Sequence, residues 1–169
     1  YIFSHLDDEF GIFYQLEKSL KSEKKTVIFY ITSSSSDHHT DETRLKETYK
    51  SLKAIGALEN QIVLLGEKLF VPDLKIVERI TAIYNYFLEF FNKLTDQDLT
   101  VYTNAYEGGH PDHDALNLVI RELKYKNNYS FKIFTFPLYH GENLPWIFYK
   151  VMQPLSDKNQ LLTLKIPLK

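Results

Sequence analysis

The sequence has 169 residues, the usual size of one domain, and 44% of them are hydrophobic, which is enough to bury a core. Lys and Arg number 20 against 22 Asp and Glu, and the net charge of −2 excludes the strongly basic surface that binds nucleic acid through its phosphates. There is no Cys, which excludes disulfides, thiolate nucleophiles and zinc fingers, so any metal must be held by His, Asp or Glu.

The chain shows no membrane or nucleotide signature. It contains no run of about 18–20 apolar residues, so no membrane-spanning helix is predicted. Neither GxGxxG nor GxxxxGK[ST] occurs, so no nucleotide cofactor is predicted. With no Cys and no visible export signal, we expect a cytoplasmic protein. We expect a single domain over residues 1–169, and whether further segments flank it at either end stays open.

Strand and helix patterns alternate along the chain. In chain order they predict a strand at 1–3, a helix at 13–20, a strand at 26–31, a helix at 45–52 closed by Gly56, a strand at 62–65 ended by Gly66, a helix at 76–91, a strand at 99–103, a helix at 116–123 and a strand at 131–136. Beyond Pro137 we expect loops with an edge strand, and a sixth strand is predicted at 161–166. This alternation predicts an α/β fold with a mostly parallel sheet and helices on both faces.

Two strand-to-helix junctions carry side chains that bind metals. The first predicted strand is followed by His5, Asp7 and Asp8, and the fourth by His110 and His113. Because parallel strands end at the same edge of a sheet, these side chains are expected to meet there. An ordinary helix start accounts for the same acidic residues, since Asp and Glu favour the helix dipole, and this alternative stays open.

The residue types at the two junctions suggest a catalytic metal site. His5, Asp8 and His113 form a two-His, one-carboxylate set, which leaves positions open for water and substrate on zinc or ferrous iron. Asp7 is then placed as the general base toward metal-activated water. His110 is placed to donate a hydrogen bond or a proton to a substrate oxygen or leaving group.

The remaining histidines are weaker candidates. His38 and His39 lie in a Ser-rich loop and are expected to be solvated. His140 follows the fifth predicted strand and is a candidate to line the same edge of the sheet.

Several segments resemble one known family. Residues 5–9, His-Leu-Asp-Asp-Glu, resemble the HPDDE motif of the PIG-L/LmbE-like de-N-acetylase family. Residues 109–113 resemble its second motif, GHxDH or HxxH. Residues 44–47 are similar to the R-x-x-E helix of the family, and residues 72–73 to the stretch that ends in its Asp. Order and spacing agree over residues 1–123.

The resemblance implies a zinc-dependent hydrolase that removes an acetyl group from an N-acetylglucosamine-type amide, on a Rossmann-like fold. It implies that His5, Asp8 and His113 are the metal ligands and that Asp7 is the general base. The expected partner is a small amino-sugar conjugate, and Fe²⁺ is the less favoured metal.

The resemblance also implies roles for four residues around the metal. His110 would stabilise the tetrahedral oxyanion, and Asp112 would orient His110. Arg44 and Asp73 match positions that contact the sugar.

The chain departs from the family pattern at several positions. Leu6 replaces the usual Pro, and bulky Ile12 and Phe13 follow Gly11 where the family is rich in glycine. These departures suggest the alternative that the chain is a catalytically lapsed module that binds a sugar or a metal. The chain also ends near residue 167, about where relatives continue into a further helix.

Overall fold

The elements of the fold alternate between strands and helices. A computed structural model describes residues 1–22, 24–36, 41–94, 98–145 and 148–155. The strands are β1 (Ile2–Phe3), β2 (Ile28–Tyr30), β3 (Ile62–Leu64), β4 (Thr100–Asn104), β5 (Lys132–Phe136), β6 (Tyr139–His140) and β7 (Lys150–Val151). The α-helices are α1 (Phe13–Leu20), α2 (Glu42–Ala54), α3 (Leu65–Leu69), α4 (Ile80–Asn92) and α5 (Pro111–Lys126). Short 3₁₀ helices cover Asp8–Ile12, Glu59–Gln61 and Val77–Arg79.

None of the helices within these ranges is both long and apolar enough to cross a membrane. The cytoplasmic location stays a prediction. The single domain over residues 1–169 also stays a prediction, since residues 156–169 lie outside the described ranges.

The first five strands form one parallel sheet in the order β3-β2-β1-β4-β5. The central strand, β1, pairs with β2 on one side and with β4 on the other, so that Ile2 lies opposite Phe29 and Thr103. Parallel strands require crossover connections, which the helices supply. The predicted α/β, Rossmann-like fold is therefore confirmed.

Helices cover both faces of the sheet, because alternate strand side chains enter two separate cores. Ile2 and Phe29 belong to a core shared with α4 and α5. Phe3 and Tyr30 belong to the other core, which is shared with α1 and α2. This two-sided burial explains why the strands are apolar without alternation.

The observed bounds differ from the predicted ones at several places. The strand predicted at 26–31 covers only Ile28–Tyr30. Where we expected an edge strand beyond Pro137, β6 and β7 pair with each other in a separate antiparallel hairpin. The strand predicted at 161–166 lies outside the described residues.

Two glycines have different structural roles: Gly56 ends a helix, and Gly66 allows two segments to pack closely. Gly56 has φ 96° just after α2, and its predicted role in closing that helix is confirmed. The prediction that Gly66 ends a strand is wrong, since β3 ends at Leu64 and Gly66 lies within α3. A Cβ on Gly66 would lie 2.1 Å from the backbone carbonyl carbon of Thr32, so glycine allows α3 to pack against the chain leaving β2.

We expect Gly66→Ala to lower the free energy of unfolding by about 2 kcal/mol, because the new methyl group meets backbone atoms of Thr32 and Ser33. Helix propensity alone would make Ala more stable than Gly by about 1 kcal/mol. A loss of stability in Gly66→Ala would therefore show that the steric contact outweighs helix propensity. Urea denaturation followed by circular dichroism measures it. Gly109→Ala is the control, since a Cβ there meets nothing within 4 Å and should change stability by less than about 0.5 kcal/mol. A stabilised Gly66→Ala protein would contradict the close approach.

Candidate metal centre

The predicted ligands lie on the two loops that leave the neighbouring strands β1 and β4. These strands are parallel and pair directly, so both loops start at the same edge of the sheet. The first loop carries His5 and Asp8, and Asp8 begins a 3₁₀ helix. The second loop leads into α5, whose first turn carries His113. Strand pairing thus brings together two histidines that are 108 positions apart.

Two ring nitrogens, one from His5 and one from His113, lie close to each other and to the two carboxylate oxygens of Asp8. His113 Nε2 lies 3.3 Å from His5 Nδ1 and 3.4 Å from Asp8 Oδ1, and His5 Nδ1 lies 3.6 Å from Asp8 Oδ2. Two ligands at about 2.1 Å from a tetrahedral ion lie about 3.4 Å apart. The three side chains therefore have the spacing of a two-His, one-carboxylate metal site.

His110 lies against the same centre. Ring nitrogens of His5, His110 and His113 all lie within 4.8 Å of one another. The rings of His110 and His113 stack with their centroids 4.1 Å apart. Nδ1 of His110 is buried and has no hydrogen-bond partner among the described residues. His110 is thus available as a further donor, either to a metal ion or to a substrate held beside it.

Carboxylates hold the ring nitrogens of His5 and His113 that face away from the centre. His5 Nε2 lies 3.0 Å from Asp112 Oδ2, and His113 Nδ1 lies 2.7 Å from Glu107 Oε2. When each neutral ring donates its N–H to its carboxylate, Nδ1 of His5 and Nε2 of His113 keep their lone pairs for a metal ion. Metal-ligating histidines commonly have such a carboxylate partner. The residues present therefore fit a divalent cation.

Asp112 has a different partner from the one expected. Its carboxylate bonds His5 instead of His110. It also accepts the backbone N–H groups of Leu74, at 2.7 Å, and Ile76, at 3.1 Å. A helix-start acid is normally exposed to water, whereas this one is fully buried and joins a distant loop to the centre. Asp112 is a positioning group for His5.

Asn104 and Glu107 belong to the site although the sequence analysis assigns them no role. Asn104 Nδ2 donates to Asp8 Oδ2 at 3.1 Å, and Asn104 Oδ1 accepts the backbone N–H of Ser4 at 3.0 Å. Glu107 is buried and bonds His113. In the sequence, only their position at the end of β4 and just after it indicates that they lie near the site. Their partners follow only from the three-dimensional arrangement.

Asp7, Arg44 and Asp73, predicted as the base and the sugar contacts, form one cluster beside the centre. Arg44 Nη2 donates to Asp7 Oδ2 at 2.8 Å, and Arg44 Nη1 donates to Asp73 Oδ2 at 3.4 Å. Arg44 also donates to the backbone carbonyls of Leu6 and Ser34. These four bonds fix the guanidinium between the two carboxylates.

Two buried side chains hold the backbone of Asp7. Asp7 has φ 99°, in the left-handed region, which costs a non-glycine residue about 1 kcal/mol. Glu9 Oε2 accepts the Asp7 N–H at 3.0 Å and the Tyr30 hydroxyl at 2.9 Å. Burial raises the pKa of Glu9 to about 7. The Glu9–Tyr30 pair thus fixes the direction in which Asp7 leaves the backbone.

The centre is built to hold positive charge. Burial opposes charge on His5, but its bonds to Asp112 and Asp8 outweigh burial and raise its pKa to about 10. Burial likewise opposes charge on His113, whose bonds to Asp8 and Glu107 raise its pKa to about 9. Burial also disfavours charge on Asp8, yet the two imidazoles keep its pKa well below the usual range. Three carboxylates around two imidazoles favour a cation here.

Asp7 and His110 have the opposite tendencies, because burial dominates in both. Burial raises the pKa of Asp7, although Arg44 acts against it. Burial lowers the pKa of His110 to about 4, and positive charge on His113 and His5 acts in the same direction, so this ring is neutral at pH 7.

The cluster forms one end of a cavity of about 620 Å³. Its polar lining residues are His5, Asp7, Asp8, Arg44, Asp73 and His110. Its other lining residues are Phe10, Leu74, Leu138, Tyr139, Val151 and Met152. A substrate entering this cavity therefore meets an apolar wall and a polar centre.

The weaker histidine candidates do not join this centre in the described part of the chain. His140 is buried outside the cavity lining, and its Nδ1 accepts the backbone N–H of Glu142 at 3.2 Å. His38 and His39 lie outside the described residues.

Comparison with known families agrees with this site. The sequence model of the family PIG-L, described as GlcNAc-PI de-N-acetylase, matches residues 1–124. The chain belongs to the PIG-L family. The PIG-L match includes both loops of the centre and ends within α5, before β5 and the β6–β7 hairpin. Membership of the PIG-L family implies a hydrolase with de-N-acetylase activity. No curated protein sequence matches the chain significantly.

We expect Glu107→Gln to weaken zinc binding by about tenfold to a hundredfold, because His113 loses the carboxylate that orients its ring. Competition with a chromophoric chelator measures the affinity. Glu122→Gln is the control, since Glu122 is exposed on α5, where it pairs with Lys126. If the Glu107→Gln protein and its parent bound zinc with equal affinity, Glu107 would not be needed to position His113.

Proposed function

We propose that this chain is a zinc-dependent hydrolase that removes the acetyl group from an N-acetylglucosamine-type substrate. The observation that carries the proposal is the close approach of His5, Asp8 and His113, whose mutual contacts measure 3.3–3.6 Å with both oxygens of Asp8 taking part, beside Asp7 in an open cavity. Membership of the PIG-L family supports an acetylated amine as the group that is cleaved. The proposed partner is a small amino-sugar conjugate.

His5, Asp8 and His113 are the proposed metal ligands. Two imidazoles and one carboxylate suit both Zn²⁺ and Fe²⁺. We favour zinc because amide hydrolysis needs no change of oxidation state, and zinc has none. When bound, the ion supplies Lewis acidity, which lowers the pKa of a water to about 7 and polarises a carbonyl oxygen.

Asp7 is the proposed general base. Its carboxylate takes a proton from the attacking water while the water oxygen bonds to the acetyl carbon. A base works best when its pKa approaches the working pH, and burial raises the pKa of Asp7 in that direction. Arg44 keeps the carboxylate oriented, and Glu9 keeps its backbone in place.

His110 is the proposed donor to the oxygen of the acetyl group. Its neutral ring keeps one N–H, which hydrogen-bonds that oxygen as negative charge develops on it, and such a donor is worth about 3–4 kcal/mol. The C–N bond then breaks, and the leaving amine takes the proton held by Asp7. Water and the amide are thus converted to acetate and the free amine of the sugar.

Arg44 and Asp73 are the proposed sugar contacts. Arg44 offers N–H donors and Asp73 offers acceptor oxygens, and both line the cavity next to Asp7. A pair of this kind matches the hydroxyl groups of a pyranose, each of which donates and accepts.

A lapsed module that binds its ligand without turnover is the alternative. The departures that suggest it leave the centre intact. Leu6 donates its backbone N–H to Ser34 Oγ at 2.7 Å, a bond that Pro cannot make. Ile12 and Phe13 pack against the core with α1 and α2 and are absent from the cavity lining. Acetate release by the zinc-loaded protein separates the two functions.

We expect Asp7→Ala to keep one zinc per chain and to lower kcat about a thousandfold, because a base is lost but no ligand is. His113→Ala should lose both zinc and turnover. Elemental analysis and acetate release from acetylated glucosamines measure both properties on the same samples. Unimpaired turnover by Asp7→Ala would remove Asp7 as the base, and iron in anaerobically purified protein would identify a ferrous centre instead.

We expect Tyr30→Phe to lower kcat about tenfold with unchanged zinc content and KM, because Glu9 loses one donor and Asp7 is held less firmly. Tyr1→Phe is the matched control, since its hydroxyl bonds Ser19 and packs beside the same core. Tyr30→Phe loses one hydrogen bond and Tyr1→Phe loses two, to Gln15 and Ser19, so the unfolding free energies of both proteins are measured beside kcat. A parallel loss of kcat in both would show that Tyr30 acts only through stability.

A further inference from the structure

Exposed apolar side chains surround the mouth of the cavity. Phe10 is 75% exposed, Val151 is 62% exposed, Leu74 is 59% exposed and Met152 is 39% exposed, and all four line the cavity. Large apolar side chains that are both exposed and gathered at one opening mark a binding surface. We name these four side chains the apolar mouth. Among the polar lining residues His5 and Asp8 are buried, whereas the Asp7 side chain is 69% exposed.

Two residues of the apolar mouth are held in costly backbone conformations. Leu74 has φ 63° and Met152 has φ 55°, where bulky residues are rare. The Leu74 N–H is bonded to Asp112, and the Met152 N–H donates to the carbonyl of Leu138 at 2.8 Å. Backbone strain of this kind persists where the surrounding structure over-determines it, as at ligand sites. The fold thus holds both side chains at the opening.

The charges of the cavity do not suit an anionic group. Arg44 is the only Lys or Arg among the described lining residues, and the carboxylates of Asp7 and Asp73 already balance its positive charge. The lining also holds the carboxylate of Asp8. Phosphate recognition uses Arg or Lys donors that are free to face it. A phosphate next to the sugar would therefore lie between carboxylates and apolar side chains.

We propose that the group linked to the sugar at its anomeric carbon is uncharged and apolar, an alkyl or aryl group, and that it packs on the apolar mouth. This inference rests on the proposed function, because the sugar is placed by the same cavity. It separates neutral glycosides from sugar phosphates as substrates. The mouth includes Val151 and Met152, which lie beyond the PIG-L match, so this preference belongs to the chain's own C-terminal part.

Three ligands test the proposal: phenyl N-acetylglucosaminide, free N-acetylglucosamine and N-acetylglucosamine 1-phosphate. Calorimetry gives the affinity of the Asp7→Asn protein for each, because the amide oxygen keeps an acceptor for Arg44 while the base needed for turnover is lost. We expect the phenyl glycoside to bind about tenfold more tightly than the free sugar, and the 1-phosphate to bind more weakly than either. Affinity for the 1-phosphate equal to or above that for the free sugar would overturn the proposal.

Acetate release by the parent protein with the same three compounds separates this inference from the proposed function. No release from any of them, with the binding order as expected, would reject the hydrolase and retain the apolar mouth. Release that is fastest from the 1-phosphate would retain the hydrolase and reject the apolar mouth. Release in the order of the affinities supports both.

A matched pair of variants tests whether the apolar mouth causes the preference for the phenyl glycoside. Val151→Ser should lower the affinity ratio of the phenyl glycoside to the free sugar about three- to tenfold. Val77→Ser is the control, since Val77 is 58% exposed and lies outside the cavity lining, and its ratio should not change. Both positions are exposed, so neither variant threatens folding. An unchanged ratio in Val151→Ser and in Phe10→Ser would overturn the proposal.

Discussion

The arrangement depends on the pairing of two buried imidazoles with buried carboxylates where β1 and β4 leave the sheet. His5 faces Asp112 and His113 faces Glu107, so each ring is held from behind. Burying a charged group is costly unless its partner is fixed opposite it. Parallel pairing of two neighbouring strands supplies that fixed distance. The site is consequently placed at the edge of the two central strands of the sheet.

Strained backbone positions border the same cavity. Asp7, Leu74 and Met152 all have positive φ and line the opening. Their N–H groups are bonded to Glu9, to Asp112 and to the chain just before β6. Asp112 therefore serves two ends of the site, since it orients a histidine of the centre and fixes Leu74 of the apolar mouth. The proposed metal centre and the apolar mouth thus share the contacts of one carboxylate.

Local patterns predict the elements well but not the hydrogen-bond partners of the site residues. The order of strands and helices follows from hydrophobic periodicity, which depends only on near neighbours in the chain. Gly66 shows what local patterns miss. A glycine is required there because the backbone of Thr32, 34 positions earlier, leaves no room for a Cβ. Asp112 is a second example, since the family resemblance implied His110 as its partner and the fold supplies His5. Asn104 and Glu107 are marked in the sequence only by their position at and just after the end of β4, which does not predict their partners.

The chain's own pattern was enough to establish an α/β fold, the absence of cysteine ligands and the meeting of His5, Asp8 and His113 at one edge. Composition, periodicity and strand polarity are properties that can be read along the chain. Which carboxylate holds which ring, and which apolar groups border the opening, depends on distances between segments far apart in sequence. Burial and hydrogen bonding act on those distances, so the folded structure alone contains them.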